Sequence, residues 1–391
     1  MSVLTKISTV VPKYKLKQTD LAHFTADLFE YTALERRKIV LMYAKSGIET
    51  RYSVMPDYYL PREERIFYPT TQDLEPFPNI EKRMAYYDAE AVHLAMDAIE
   101  KCMENTIKKN QITHLITVSC TGLSAPGLDI DIVQQMGLNA DINRTSINFM
   151  GCYAAMHALK QADYICKSDA NAVVMVVCVE LCTLHFQKIN DQDNITSNLL
   201  FSDGCAAALV VGDDFAKKNK MQGFQLKGFY SQLALSGKKD MAWRLSSTGF
   251  LMTLSGYVPD LLEQGIKDLF DKAVQQMNIS WSDIKHWAIH PGGKKILEVV
   301  EKELGLGRDN LESSFKVLKN YGNMSSPTVL FVLKDILENK LNFSEQEYTF
   351  TAAFGPGLTL ETGIFETTPA LKPEIVRRTM TNSGIYAELL S

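Results

Sequence analysis

The stretch SINFMGCYAAMHALKQADYIC, residues 146–166, carries the clearest signature of the fold. Its first five residues are typical of a short strand, and the apolar spacing from Cys152 onward predicts a helix. Gly151 allows the backbone to turn tightly between the two. The thiol of Cys152 would then lie at the positive end of a helix dipole, which stabilises a thiolate and lowers the thiol pKa. Cys152 is therefore a candidate nucleophile, with a buried structural cysteine as the alternative.

The alternation of strands and helices extends in both directions from this unit. Apolar residues at helical spacing predict helices, and short apolar runs bounded by turn residues predict buried strands. The pattern predicts an α/β protein with a largely parallel sheet. The predicted helices are 88–107, 152–166 and 266–277, with strands at 114–120, 146–150, 172–181, 202–214 and 286–290 and a strand–turn–strand at 348–366.

The second half of the chain repeats sequence patterns found in the first half. FMGCYAAMHALKQA (149–162) and NYGNMSSPTVLFVLKD (320–335) both place a glycine and a functional side chain before a helix. LFSDGCAAALVVG (200–212) and AAFGPGLTLETGIFE (352–366) both have the pattern of a hairpin centred on glycine. Two similar halves packed face to face would place Cys152 and Asn323 as symmetry mates around one central site.

Composition excludes several classes of protein. The 391 residues include 41 Lys and Arg against 46 Asp and Glu, a formal charge of −5, which argues against nucleic-acid binding. No apolar run approaches the ~20 residues of a membrane-spanning helix, and the first residues lack a signal-peptide pattern. The seven cysteines include no CxxC pair, which indicates reduced thiols. We therefore expect a cytoplasmic protein that neither spans a membrane nor binds nucleic acid.

Two further side chains suit the chemistry of a nucleophilic cysteine. His290 ends a predicted strand in HPGGKK, and Asn323 lies at a turn in YGNMSSP; a structural histidine and a helix N-cap are the alternatives. A cysteine thiolate attacks a thioester carbonyl and becomes acylated. A histidine N–H and an asparagine amide can stabilise the resulting oxyanion. The same two donors can hold the enolate of a malonyl thioester while CO2 leaves, without a metal or a general base.

Six segments resemble, in order and over nearly the whole chain, the motif series of type III polyketide synthases, the chalcone synthase superfamily. The resemblance implies a homodimer with a thiolase fold of five layers, αβαβα. Two pseudo-equivalent halves would form it: 1–225 with the nucleophile, and 226–391 with the histidine and asparagine. It also implies acyl-CoA and malonyl-CoA as substrates and no cofactor. The six segments are VSCTGLSAPGLD, NFMGCYAAMHALKQA, LFSDGCAAALVVG, HWAIHPGGKKILE, YGNMSSPTVLFVL and AAFGPGLTLETGIFE.

The resemblance assigns a role to each of these reactive residues. Cys152 is the acyl-carrying nucleophile at the end of a coenzyme A tunnel, His290 activates it and assists decarboxylation, and Asn323 completes the oxyanion and enolate site. Phe201, in LFSDG, matches the gatekeeper phenylalanine between tunnel and cavity. The segment AKSGIETRY (44–52) is similar to the one in which family members place basic residues around the coenzyme A phosphates, and its candidates are Lys45 and Arg51.

The expected pocket departs from that of the plant enzymes. Ala125 stands where they have methionine in a loop that crosses the dimer, Trp243 where they have a cavity-lining glycine, and Met252 where they have phenylalanine. Cys178, Cys182 and His185 do not form a metal site, because His185 would point away from the cysteines on an extended strand. The remaining predicted cavity residues are Cys120, Cys182, His185 and, in the wall formed by AAFGPGL, Phe354 and Gly357.

The pattern W-R-x-x-x-x-G-F followed by L-S-x-x-V-P, within 241–262, is similar to bacterial alkylresorcinol and alkylpyrone synthases. We therefore expect a medium- or long-chain fatty acyl-CoA starter, extended by malonyl-CoA and closed to an alkylpyrone or alkylresorcinol. The alternatives are a small or aromatic starter, a ketoacyl-ACP synthase III, and a hydroxymethylglutaryl-CoA synthase, which would need a general-base glutamate near the cysteine. Glu180 is the nearest carboxylate at a strand end, and we expect it to support structure near the dimer interface instead. A non-catalytic relative would be expected to lack a member of the triad.

Overall fold

The computed structural model describes residues 1–256, 258–263 and 265–368, so the end of the predicted C-terminal half, 369–391, lies outside the described residues. The strands are β1 Ser2–Val10, β2 Tyr14–Lys17, β3 Thr50–Ser53, β4 His114–Ser119, β5 Asn143–Asn148, β6 Val173–Leu181, β7 Asp203–Gly212, β8 Phe224–Leu233, β9 Met241–Ser246, β10 Gly249–Leu254, β11 Ile284–Ile289, β12 Tyr348–Gly355 and β13 Thr359–Thr367. The helices are α1 Gln18–Leu28, α2 Ala33–Lys45, α3 Ile80–Met103, α4 Leu128–Met136, α5 Ala154–Ser168, α6 Gln192–Leu200, α7 Asp213–Lys218, α8 Val258–Glu263, α9 Ile266–Gln276, α10 Lys294–Leu304, α11 Glu312–Tyr321 and α12 Thr328–Asn339.

Nine strands form one long sheet in the order β11-β12-β13-β8-β1-β7-β6-β4-β5. The two halves join where β1 and β8 pair, at Val3 with Gln225 and Leu4 with Phe224. On each side of this seam the pairing sense repeats. In the first half β1, β7 and β6 are antiparallel and β6 and β4 parallel; in the second, β8, β13 and β12 are antiparallel and β12 and β11 parallel. The topology therefore bears out two pseudo-equivalent halves.

Helices cover the sheet and fill the space between its halves. α3 packs on β1, β6 and β7, and α9 packs on β8 and β13, while α5 and α12 lie on the inner faces. Strand β6 shows why its sequence is apolar throughout. Val173, Met175 and Val177 belong to the core cluster that includes α3, whereas Val174 and Val176 belong to the cluster that includes α5. A strand with helices on both faces has no side for polar residues.

Two expectations about the strands are wrong. Residues 203–212 are one strand, β7, and only 352–366 forms a hairpin, because α6 lies between β6 and β7 in the first half. The sheet is mixed rather than largely parallel, since only β4–β5, β4–β6 and β11–β12 pair in parallel. Among the described residues, no helix is both long enough and apolar enough to cross a membrane.

The two inner helices bring the candidate residues together. Cys152 lies in a 3-10 turn, Gly151–Tyr153, immediately before α5, and Asn323 lies between α11 and α12. Each residue therefore occupies the same place in its half of the fold, as the internal repeat predicts. His290 follows β11, where its backbone N–H donates to the carbonyl of Ala352 in β12, 2.8 Å away. The carboxyl ends of strands and the N-terminal ends of inner helices thus converge on one point.

Candidate active site

The turn that carries Cys152 depends on a glycine. Gly151 has φ +81°, and a Cβ built on it would lie 2.2 Å from Cδ of Pro356. Its N–H donates to Sγ of Cys120 at 2.9 Å. The neighbouring Phe149 also has a positive φ, 57°, which is uncommon for a side chain of its size. The hairpin loop between β12 and β13 therefore packs directly against the turn that carries Cys152, and a larger residue than glycine does not fit there.

Burial, rather than the helix dipole, dominates the protonation of Cys152. The side chain is buried, and this raises the pKa of the thiol to about 11, although contacts with Ser325 and Asn323 act in the opposite direction. Sγ lies 3.9 Å from Oδ1 of Asn323. The sequence-based expectation of a lowered pKa is therefore wrong for the free enzyme, because removing a thiolate from water outweighs the stabilisation from one helix end.

His290 is the group that can take the proton from Cys152. Its ring is almost fully buried, and burial lowers the pKa of the imidazole to about 3. Neither ring nitrogen has a hydrogen-bond partner among the described residues, and the residue lines the same cavity as Cys152. A neutral imidazole at this place can accept a proton at one nitrogen, or donate one to a bound oxygen.

Asn323 is held in one orientation by two backbone groups. Its Oδ1 accepts from the N–H of Ser325 at 2.8 Å, and its Nδ2 donates to the carbonyl of Gly292 at 3.2 Å. An amide nitrogen has two hydrogens, so the second remains for a ligand in the cavity. The contact with Gly292 also ties Asn323 to the HPGG turn that follows His290.

The three residues line one cavity of about 390 Å³. Most of the surface that lines it is apolar, and its charged lining residues are three lysines and one glutamate. The residues predicted from the sequence that line it are Cys120, Cys152, Cys182, Phe201, Trp243, Met252, His290, Asn323, Phe354 and Lys45. The polar lining residues with partly or fully exposed side chains include Lys45, Thr196, Lys294, Lys295 and Glu298. The arrangement can hold an acyl group against the thiol while a charged carrier remains at the entrance.

Glu180 lies next to this site without lining the cavity. Its carboxylate accepts from the N–H of Cys120 at 2.9 Å, from Oγ1 of Thr121 at 2.8 Å and from Oγ of Ser326 at 2.7 Å. Burial raises its pKa to about 7 despite these hydrogen bonds. Because its acceptor atoms are occupied by residues from both halves of the chain, Glu180 joins the halves and is not a general base for a bound substrate.

Family models described as the N-terminal and C-terminal domains of chalcone and stilbene synthases match residues 1–214 and 226–369. The chain belongs to this family, the type III polyketide synthases. It is 30% identical to the alpha-pyrone synthesis polyketide synthase-like Pks18 of Mycobacterium tuberculosis, over 94% of this chain and 91% of that protein. Crystal structures of PKS-I from the brown alga Ectocarpus siliculosus and of the type III domain of Steely1 from Dictyostelium each give a TM-score of 0.84. Their sequence identities to this chain are 26% and 28%. Each match covers 94% of this chain, and 98% and 99% of the respective neighbour.

These neighbours confirm the thiolase fold that the sequence predicts for this type III polyketide synthase. The sequence missed several residues of its cavity. Ser325 follows Asn323 with φ +58°, and its proximity lowers the pKa of Cys152. The sequence feature that could have indicated Ser325 is the serine pair in GNMSSP. Four further apolar residues of the lining that the sequence did not predict come from 241–259: Met241, Leu254, Val258 and Pro259. The last three belong to the L-S-x-x-V-P pattern, which indicated a relationship to alkylresorcinol and alkylpyrone synthases but not a place in the cavity wall.

Trp243 forms part of the cavity wall and His185 lies behind it. The indole Nε1–H of Trp243 donates to the carbonyl of Cys120 at 2.7 Å, and Met252 is its partner on the neighbouring strand. The imidazole of His185 stacks on Phe250 with ring centres 4.3 Å apart. His185 therefore supports the wall and lines only a smaller second cavity, whereas the sequence predicted it in the main one.

The predicted exclusion of a metal at Cys178, Cys182 and His185 rested on an extended strand, yet the chain bends there. Strand β6 ends at Leu181, and Cys182–His185 is a 3-10 helix. Both ring nitrogens of His185 are nevertheless occupied, Nε2 by the carbonyl of Thr121 at 2.7 Å and Nδ1 by the N–H of Phe250 at 3.1 Å. Within the described residues, no group of three or more His, Cys, Asp or Glu side chains is placed to hold a metal ion.

Three other predicted site residues lie away from the main cavity. Arg51 is buried and donates to neighbouring oxygen atoms, so it does not reach a coenzyme A phosphate at the entrance. Ala125 lies in an exposed loop beside a separate cavity of about 250 Å³. Gly357 donates its N–H to the carbonyl of Met241 at 2.9 Å, behind the wall that Pro356 and Phe354 form.

Proposed function

We propose that this type III polyketide synthase condenses malonyl-CoA repeatedly onto an acyl-CoA starter, as an acyltransferase. The observation that carries the proposal is the convergence of Cys152, the unpartnered His290 and the fixed amide of Asn323 on one cavity with an apolar interior. These groups are the nucleophile, the proton acceptor and the oxyanion donor that thioester chemistry needs.

Loading begins with two neutral partners. The sulfur of Cys152 attacks the carbonyl carbon of the starter thioester while its proton moves to a ring nitrogen of His290. The oxyanion accepts hydrogen bonds from the second Nδ2–H of Asn323. When the tetrahedral intermediate collapses, the carbon–sulfur bond to coenzyme A breaks, and the leaving thiolate takes the proton from His290. In this sequence of steps the thiol loses its proton as it attacks, so loading does not require a thiolate in the empty site.

Extension uses the same two donors in another role. The bond between the methylene carbon and the carboxylate of malonyl-CoA breaks, CO2 leaves, and the enolate oxygen accepts hydrogen bonds from His290 and Asn323. The enolate carbon attacks the acyl carbonyl on Cys152, the carbon–sulfur bond to Cys152 breaks, and the leaving thiolate takes up a proton from water, which is the proton that the overall decarboxylative condensation consumes. The product is a β-ketoacyl-CoA, which can return to the thiol. The low pKa of His290 favours a neutral imidazole during decarboxylation, when the ring donates a hydrogen bond to the enolate oxygen.

We propose a medium- or long-chain acyl starter and an alkylpyrone or alkylresorcinol product. The apolar side chains around the thiol support this proposal, as does a second cavity immediately behind the wall. Cys182, Phe201 and Trp243, together with Met252, line both cavities. A tail that displaces this wall would enter a space bordered by Leu16, Leu21, Phe24, Tyr58 and Phe186. The name of the mycobacterial relative, which refers to alpha-pyrone synthesis, is consistent with the proposed product.

A small or aromatic starter is the second candidate, and one contact favours it. The hydrogen bond between Trp243 and the carbonyl of Cys120 holds the wall closed. Incubation with malonyl-CoA and a panel of acyl-CoAs, from acetyl to palmitoyl with benzoyl and coumaroyl included, decides between them by mass spectrometry. Turnover that rises with chain length supports the long starter. Turnover confined to acetyl-sized or aromatic starters refutes it.

We further propose a homodimer whose contact involves β5 and the loop that follows β4. Strand β5 is an edge strand with mostly exposed side chains, and its outer backbone groups would pair with those of another strand. Leu123 and Ile130 are exposed large apolar residues near it, at 53% and 38%. The loop that contains Ala125 would then face the partner subunit, where its small side chain leaves room.

The proposed reaction needs no cofactor, because coenzyme A thioesters are the substrates and the triad supplies every charge stabilisation described above. The test treats the enzyme with EDTA and measures its turnover with and without added Mg²⁺ or Zn²⁺. Activity that returns only with metal contradicts the proposal.

All seven cysteines are unpaired thiols, which supports a reducing, cytoplasmic location.

A further inference from the structure

Arg51 lies in the interior, although its sequence context suggested an entrance. The side chain is 4% exposed and extends from β3 toward the end of α6. Its Nη1 donates to the carbonyl of Asn198 at 2.8 Å and to that of Phe201 at 2.5 Å. Its Nε donates to Oε1 of Gln18 at 2.9 Å. Nη1 of the guanidinium thus binds two carbonyls at the end of α6, and Nε binds the side chain of Gln18.

Gln18 extends this contact to a third carbonyl. Its Nε2 donates to the carbonyl of Leu199 at 2.9 Å, while its Oε1 accepts from Arg51. The last carbonyls of a helix have no partner within the helix, and a cation is favourable there because of the helix dipole. Arg51 and Gln18 together therefore fix the carbonyl end of α6, at the point where the chain continues into Phe201.

The same short segment holds the backbone of Asn323. The N–H of Asn323 donates to the carbonyl of Leu200 at 3.0 Å, and the N–H of Ser202 donates to the carbonyl of Asn323 at 2.9 Å. Phe201 and Asn323 consequently form an isolated parallel bridge. Any displacement of residues 200–202 moves the amide of Asn323 with it.

The stem of Arg51 also contacts the turn that precedes Asn323. Gly322 has φ +69°, and a Cβ built on it would lie 3.0 Å from Cγ of Arg51 and 3.0 Å from the carbonyl oxygen of Leu200. The neighbouring Thr50 donates its hydroxyl to the carbonyl of Asn320 at 2.6 Å. Arg51 is therefore packed against both sides of the bridge, the α6 end and the turn after α11.

We propose that Arg51 is a positioning residue that sets Phe201 and Asn323 as one unit. This inference rests on the proposed function, because it assigns Arg51 to the catalytic step through Asn323. Arg51 touches neither substrate nor the reacting atoms. The proposal predicts that removing the guanidinium impairs stabilisation of the enolate. Loss of a contact with coenzyme A would instead impair substrate binding.

The test uses malonyl-CoA decarboxylation in a Cys152→Ala background, which needs no starter and is therefore independent of starter length. Adding Arg51→Met, which retains an apolar stem, should lower kcat by about tenfold or more while KM for malonyl-CoA changes by less than about twofold, because misplaced catalytic groups cost rate rather than binding. A raised KM with unchanged kcat would overturn the proposal. Arg308→Met is the matched control, since Arg308 is 54% exposed and pairs with Glu301.

Gln18→Leu provides a second variant that keeps the charge, should Arg51→Met fail to fold. It removes the acceptor that orients the guanidinium and should lower kcat in the same direction by a smaller factor; unchanged kcat contradicts the inference. A crystal structure of either variant gives a readout without turnover. We expect longer distances from Asn323 N to Leu200 O and from Ser202 N to Asn323 O, and unchanged distances overturn the inference. Absence of decarboxylation by the Cys152→Ala enzyme itself would count against the proposed function, and the crystal structure would still decide the role of Arg51.

Discussion

Burial acts in opposite directions on the two reactive groups of the active site. It raises the pKa of the Cys152 thiol to about 11 and lowers that of the His290 imidazole to about 3. Both groups are therefore neutral near pH 7, and the proton moves between them only when sulfur bonds to carbon. Burial therefore disfavours a thiolate–imidazolium pair in the empty site.

The pH dependence of decarboxylation should reflect this neutral imidazole. In the Cys152→Ala enzyme, we expect kcat for malonyl-CoA decarboxylation to stay level from about pH 5.5 to pH 8, because a histidine with a pKa of about 3 is unprotonated over that whole range. The check is steady-state CO2 or acetyl-CoA formation in buffers of constant ionic strength. A decline on the acid side with a midpoint near 6.5 would show that burial does not hold His290 neutral.

Selective alkylation tests the assignment of the nucleophile. Burial raises the pKa of all seven thiols, with Cys152 at about 11 the least affected. Cys152 also lines the cavity, which Cys102, Cys166, Cys178 and Cys205 do not. We therefore expect iodoacetamide to modify Cys152 first among the seven cysteines, with protection by malonyl-CoA. Peptide mapping in which another cysteine reacts faster would refute the assignment.

At the scale of elements, short turns and one pair of strands shape the cavity. The hairpin loop between β12 and β13 presses Pro356 onto the Gly151 turn, and β9 and β10 place Trp243 and Met252 in the wall. Neither device is a helix or strand of the central sheet. The sheet supplies the position of the triad, whereas the loops and the small hairpin decide how much space surrounds it.

Trp243→Ala should join the two cavities. Removing the indole eliminates the hydrogen bond to the carbonyl of Cys120 and opens the wall that both cavities share. We expect kcat/KM for long acyl-CoAs to rise relative to that for short ones, measured by competition between two starters in one reaction. Leu245→Ala, on the same strand but 63% exposed, is the control and should leave the ratio unchanged. An unchanged ratio in Trp243→Ala would mean that the tail takes another path.

Gly151→Ala should abolish acyl loading. The new methyl group would lie 2.2 Å from Pro356, and alanine at positive φ carries an additional cost of about 1–2 kcal/mol. Gly305→Ala has a similar φ, 64°, but its Cβ meets no atom within 4 Å, so it isolates the backbone cost. We expect Gly305→Ala to lower thermal stability slightly and keep full loading, as intact-protein mass spectrometry would show. Equal loading by both alanine variants would contradict the role of the close contact.

The whole molecule shows which inferences a sequence can support. The positions of Cys152, His290 and Asn323 follow from motifs, because a residue at a strand end or before an inner helix has its place fixed by topology. The positions of the Arg51 and His185 side chains do not follow from motifs, because the direction of a side chain depends on what packs around it. An arginine near a tunnel motif and an arginine that caps α6 have the same local sequence. The strand predicted at 202–214 is present as β7, whereas the hairpin predicted for 200–212 is not, because the first half connects β6 to β7 through α6 and the second half connects β12 to β13 directly.

The proposed dimer through β5 and the loop after β4 can be tested by measuring the mass of the assembly. We expect sedimentation to give twice the chain mass for the wild type, and a shift toward the monomer for Leu123→Lys, because a buried unpaired lysine in the contact is unfavourable. Leu34→Lys is the control, since Leu34 is 64% exposed on α2, away from β5. A monomeric wild type, or an equal shift in both variants, would exclude the proposed contact.

The place of β1 in the sheet has a consequence for synthesis on the ribosome. Ser2 pairs with Gly212, and Val3 pairs with both Val211 and Gln225, so the strand made first waits for partners made much later. At about 5–20 residues per second, the delay is on the order of 10 to 40 s. During that time its apolar side chains have no sheet to join, which makes the nascent first half a natural client for chaperones. Slow stretches of translation before residue 203 would lengthen this exposure and lower the yield of active enzyme.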